Sequence, residues 1–126
     1  MLRPHMLAVP LLMALFALAP GSAFAHHTFT AKYDPSKTVK VSGTIASVSY
    51  GNPHIDFTVE AGGKSWSVET ESISVAKGLG LTEAVLKAGA KVTVTGWPAR
   101  DGSAEMGLSS ISVVGGPTIT TRRTAR

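Results

Sequence analysis

The chain has 126 residues and a formal net charge of +4, and its first 25 residues are so rich in Leu, Ala, Met and Val that only the remaining part is left to fold as a domain. That length allows one small domain with one modest core and excludes a multidomain enzyme. The absence of cysteine excludes disulfides, Fe–S clusters, thiolate metal sites, a cysteine nucleophile and a lipoprotein anchor. Arg3 lies in the leader and Arg122, Arg123 and Arg126 in the last residues, whereas residues 26–121 balance eight positive against eight negative side chains, so the charge is no nucleic-acid footprint.

The leader has one Arg near its start, an apolar run from Leu7 to Ala19 broken only by Pro10, and Ala23-Phe24-Ala25 at its end. This is the pattern of a secretory signal peptide, too short to span a bilayer as a stable anchor. Cleavage after Ala25 predicts a periplasmic or secreted protein that starts at His26, with its α-amine and imidazole adjacent and His27 next.

Residues 26–37 read as an N-terminal arm, with Phe29 and Tyr33 as apolar anchors and a turn at Asp34-Pro35. From Thr38 the pattern becomes alternating: Val39, Val41 and Ile45 share one face, and Val48 and Tyr50 continue on the opposite parity. One long bent strand with a bulge over 38–50 accounts for both. Gly51-Asn52-Pro53 makes a corner, and His54 opens a second strand with Ile55, Phe57 and Val59 inward. Its other face carries His54, Asp56, Thr58 and Glu60. Ala61-Gly62-Gly63-Lys64 predicts a hairpin loop, and the returning strand turns Trp66 and Val68 inward. Glu60 opposite Ser65 sets Asp56 against Glu69 and His54 against Glu71; a loop tighter by two residues sets His54 against Glu69 instead.

Residues 72–80 are ambiguous. Leu81 to Gly89 predicts a helix of about two turns, capped by Thr82 and ended by Gly89. Lys91–Trp97 forms a fourth strand, residues 98–103 a loop, and Met106–Val114 a fifth, with Met106 in the core. A flexible basic tail follows over 115–126. Three strands, a short helix and two strands match an all-β, five-stranded OB-like barrel over 38–114, with the helix between strands three and four; a small open β-sandwich is the other arrangement. The expected core is Val41, Ile45, Ile55, Phe57, Val59, Trp66, Val68, Leu86, Val92 and Val94.

His26-His27-Thr28-Phe29, Asp34-Pro35, the strand through Gly43 to Asn52-Pro53-His54, Trp66, Leu86 to Gly89, and Asp101-Gly102-Ser103 together resemble a bacterial family of small secreted proteins known as a domain of unknown function. The likeness covers nearly all of 26–113. It implies a periplasmic address and a shared β fold, and no assigned activity.

The chemistry-bearing constellation is His26 at a new N-terminus together with His54. Amine and Nδ1 of an N-terminal His chelate, and a second imidazole completes three nitrogens, a set suited to Cu(II). His27 is a substitute ligand or a spectator, and Glu69, Glu71 or Asp56 is a further ligand or an orienting group. The expectation is therefore a periplasmic metal-binding protein, with copper as the ion. The alternative is a metal-free OB-type module for a small ligand or protein partner, using Trp66, Trp97 and Tyr50 as a stacking surface. Nucleic acid is disfavoured by the balanced charge. No nucleophile elbow, His-Glu-x-x-His or phosphate loop occurs, so no catalytic residues are assigned.

Overall fold

Alternating apolar residues from Val39 onward build a barrel in the computed structural model, which describes residues 29–51 and 53–123. The strands are β1 (Val39–Ser49), β2 (His54–Ala61), β3 (Lys64–Ser72), β4 (Lys91–Pro98), β5 (Glu105–Val113) and β6 (Thr118–Thr120), with helix α1 (Ile73–Gly78) between β3 and β4. β1 pairs antiparallel with β4 along its first half and with β2 along its second. A parallel contact of β3 with β5 closes the ring. Strands β1 to β5 thus form a closed OB barrel with the helix in the expected interval.

The bend in β1 has a steric origin. The strand changes neighbours at Thr44, which pairs with both Lys91 and Glu60, and its register with β2 shifts between Ile45 and Ser47. A Cβ at Gly43 would overlap the carbonyl oxygen of Glu60, so only glycine allows the two backbones to approach there. The shift also moves Val48 onto the inward face, as the parity change in the sequence requires.

Val41, Ile45, Ile55, Phe57, Val59, Val68, Leu86, Val92 and Val94 are all buried, joined by Met106, Leu108, Ile111 and Leu81. Trp66 is half-buried and packs against this core from its rim.

The helix lies elsewhere than expected. Residues 81–90 are turns: Thr82 O accepts from both Val85 N and Leu86 N, and the pattern goes no further. Gly89 N and Ala90 O are already bonded to Ile45 of β1, so the chain must extend before a second turn can close. Leu81 and Leu86 instead plug the barrel end, a tertiary demand that overrides helix propensity. The helix that does form, α1, buries only Ala76 completely, which explains its weak sequence signal.

The tail expected to be flexible is instead built onto the barrel over residues 115–123. Gly115, at φ +73°, turns the chain, and β6 pairs with Ser110–Ser112 while burying Ile119. The cause is a gap in the barrel. Pairing of β3 with β5 ends at Glu69 and Gly107, leaving the rest of that β5 edge with open donors and acceptors. β6 takes up its far part, and Thr121 bonds to the carbonyls of Leu108 and Ser109.

The N-terminal arm docks outside the barrel. One helical turn at residues 29–32 leads to Tyr33, which bridges Ala99, while Arg100 N donates to Lys32 O at 2.9 Å. Phe29, Tyr33 and Ala99 form a second apolar cluster against Trp97. Gly107 makes the seat, since a Cβ there would overlap the Phe29 ring.

Candidate functional site

The β2–β3 hairpin closes with Glu60 opposite Ser65 and Asp56 opposite Glu69, as one of the two expected registers has it. A register shift between His54 and Asp56 then sets His54 opposite Ser72 rather than Glu71. His54 nevertheless keeps a carboxylate neighbour, because its Nδ1 lies 3.8 Å from Glu69 Oε1. The other oxygen of Glu69 is held twice: the Tyr33 hydroxyl donates to Oε2 at 2.7 Å, and Lys32 Nζ stands 3.8 Å away. Lys32 is shared with Glu105, also at 3.8 Å. The N-terminal arm and the outer face of β2–β3 therefore meet at Glu69.

Charge in this cluster is unevenly compensated. Partial burial pushes the Asp56 carboxyl above its ordinary pKa and the nearby Glu69 adds to this, while His54 and Lys32 pull it back. Among the described residues, Asp56 has neither an ion-pair partner nor a hydrogen bond from a side chain. Tyr33 is shifted upward, first by burial and then by its hydrogen bond to Glu69. Tyr50, which donates to Leu86 O at 3.0 Å, is shifted the same way by burial.

In the fold Tyr33 is neutral at pH values where an unfolded chain would ionise it, near pH 10, and Tyr50 is shifted in the same direction. Their contribution to stability is whole below that pH and is lost as pH rises from there through the higher pKa values of the fold. An absorbance titration at 295 nm should accordingly show Tyr33 still un-ionised at pH 10 and ionising only as the fold is lost, with Tyr50 ionising above its ordinary range. A simple titration of either tyrosine near 10 in the folded protein would contradict this assignment.

Glu71 is committed elsewhere. Its Oε2 lies 3.8 Å from Arg123 Nη2, and the Arg123 guanidinium stacks 3.4 Å above the Phe29 ring. Glu71 Oε1 and Arg123 Nη1 are buried without a hydrogen-bond partner. The pair links β3 to the C-terminal segment, and the stacking on Phe29 ties that segment to the N-terminal arm. Arg123 is the residue that sequence reasoning missed, since nothing in a polar terminal stretch announces a buried partner. His26 and His27 lie outside the described residues. Among the described residues, no group of three His, Cys, Asp or Glu side chains is placed to hold a metal ion.

The aromatic residues form no common stacking surface. Trp66 packs on the core with Lys64 Nζ 4.9 Å from its ring, and Trp97 lies 5.7 Å from Phe29 in the arm cluster. Tyr50 is tied to Leu86. Among the described residues, no helix is long and apolar enough to cross a membrane.

The match to known proteins is one of family and of fold. Residues 14–109 match the family of unknown function DUF6152. The chain belongs to that family. No curated protein matches it. Among solved structures, 71% of the chain is similar to 23% of a ZRD-deleted mutant of TiaS in complex with agmatine, at 15% identity and a TM-score of 0.50. The chain thus spans less than a quarter of that protein, and the likeness is one of fold alone. The mitochondrial single-stranded DNA binding protein Rim1 of S. cerevisiae shares 14% identity over 62% of this chain and 93% of its own, with a TM-score of 0.49. Yeast Stn1 and Ten1 give 18% over 60% and 42%, with a TM-score of 0.47. These two add nothing to the fold assignment. The matched range includes the positions of His26, His27 and His54.

Proposed function

We propose that this family member is a secreted, periplasmic protein that binds Cu(II) through a mature N-terminal His26 and through His54. The observation that carries the reading is the docking of the arm: Tyr33 is hydrogen-bonded to Glu69, the carboxylate that faces His54. His26 precedes Phe29 by three residues, so chain connectivity keeps their Cα atoms within about 11 Å. The arm that carries the predicted chelate is therefore anchored on the face that carries the second imidazole.

The donor chemistry fits the ion. Amine and imidazole nitrogens favour Cu(II) over the other divalent first-row metals, and a chain without cysteine offers no thiolate. Asp56, which has no ion-pair partner among the described residues, adds negative charge that attracts a cation to the spot. In this reading His26 supplies its α-amine and Nδ1, and His54 the third nitrogen. Asp56 is the carboxylate free to approach the ion. His27 is a spectator, and Glu71 is paired with Arg123.

Cu(II) titration of the mature protein with electron paramagnetic resonance tests this. The expected result is an axial site with three nitrogens, and affinity that rises across roughly pH 5 to 8 as the amine and imidazole protons leave. His54→Ala should weaken binding by about 10²-fold or more, the scale of losing one arm of a chelate, while His27→Ala should leave it nearly unchanged. An unaltered spectrum and affinity in His54→Ala would sink the reading. The Asn-Pro-His corner would then be structural, and the terminal His pair alone an incidental chelator.

A further inference from the structure

Resting on that reading, we propose that Tyr33 is a positioning residue for His54: acting through Glu69, it keeps the proton of the neutral imidazole on Nδ1 and leaves the Nε2 lone pair as the donor offered to the cation.

Tyr33 is fixed before any ligand arrives, being 1% exposed, with its ring 4.6 Å from that of Phe29 and its backbone bridged to Ala99. Its hydroxyl, acting as a donor, takes Glu69 Oε2 at 2.7 Å, and Lys32 stands on the same oxygen at 3.8 Å. Two holds on one oxygen orient the carboxylate plane. Oε1 is then the oxygen turned to His54 Nδ1, at 3.8 Å.

That distance is longer than a hydrogen bond, so the effect on the ring is electrostatic. It still discriminates between the tautomers. A bare Nδ1 lone pair facing a carboxylate is repelled, whereas an Nδ1–H is attracted. Asp56, across from Glu69, adds negative charge on the same face. With the proton on Nδ1, the ring has one lone pair to give, at Nε2. The result is a carboxylate–imidazole–metal arrangement, in which the carboxylate fixes the ring and strengthens its donor nitrogen. The same helical turn that anchors the arm bearing His26 thus also prepares the second ligand.

The test reads the tautomer directly. Imidazole ¹⁵N shifts of the full mature chain without metal, recorded at a pH where the spectra show the neutral-ring pattern, are assigned by their loss in His54→Ala. The expected result is His54 as the Nδ1–H form in the wild type, with a shift toward Nε2–H in Tyr33→Phe and in Glu69→Gln. Tyr33→Phe keeps the buried ring, and should the arm undock in it, Glu69→Gln carries the test with Tyr33 in place. With Cu(II) bound, the pulsed paramagnetic signal of the remote imidazole nitrogen that vanishes in His54→Ala should change in both variants. The count of bound nitrogens should stay the same. A wild-type Nε2–H tautomer, or spectra of both variants identical to wild type, would overturn the proposal and leave copper binding standing. An Nδ1–H tautomer that responds to both variants, in a protein that binds no copper, would support the positioning role of Tyr33 and remove the metal reading alone.

Discussion

Phe57→Ala is expected to destabilise the domain by about 3–5 kcal/mol, read as a drop in the denaturation midpoint at constant m-value. Phe57 is 2% exposed and pairs with Val48 on one side and Val68 on the other, so its ring stands where β1, β2 and β3 pack together. Truncation leaves a void that surrounding strands cannot fill, because β2 is hydrogen-bonded on both edges. A domain of this size has about 5–15 kcal/mol of stability in total, so the variant should be partly unfolded or sharply thermolabile. A loss below about 1 kcal/mol would mean that the ring is not a core element. Thr58→Ala on the neighbouring outward position, where the hydroxyl meets only that of Ser47 at 2.8 Å, is the matched control and should stay within about 0.5 kcal/mol.

One residue added ahead of His26, in a His27→Ala background so that no histidine takes the third position of an amino-terminal copper chelate, is expected to reduce Cu(II) affinity by roughly 10²–10⁴-fold while leaving the melting curve of the metal-free protein unchanged. The chelate needs the α-amine and Nδ1 of the same residue. An added Gly moves the amine one residue away and puts an amide in its place. His54, Asp56 and Glu69 are untouched by this change, so a barrel-face ligand that does not use the amine should bind as before. Intact mass of the periplasmic fraction belongs to the same experiment: a mature chain beginning elsewhere than His26 would remove the chelate on which the expectation depends. Affinity retained in the extended His27→Ala protein would show that the amine of His26 is not a ligand.

The residues that were legible in the sequence are those whose signals are local. Alternation in Val39–Ile45, Ile55–Val59 and Lys91–Val94 reports a sheet face with period two, and burial of one face follows without knowledge of the partner strand. The parity change after Ile45 and the Gly62-Gly63 loop likewise announced a bulge and a hairpin, and the loop carried the pairing of Asp56 with Glu69. Strand order with a short helix after the third strand was enough for the barrel class.

The strands, most of the core and the face on which His54, Asp56 and Glu69 lie could therefore be read from the chain without its fold. The remaining features emerged only in three dimensions, wherever a residue's state depends on a partner distant in the chain. Leu81 to Gly89 carries helix signals, yet bonding of Gly89 and Ala90 to Ile45 stretches it into turns. The terminal segment reads as polar and loose, yet the unpaired edge of β5 recruits Thr118–Thr120 as a strand and seats Arg123 between Glu71 and Phe29. The same holds at the candidate site: a register shift beside Pro53 moves His54 away from Glu71, and Tyr33, 36 positions away in the chain, is what holds Glu69. Local propensity is worth tenths of a kcal/mol per residue, whereas an unsatisfied strand edge or an open core costs on the order of kilocalories, and at each of these places the costlier alternative was the one the fold avoided.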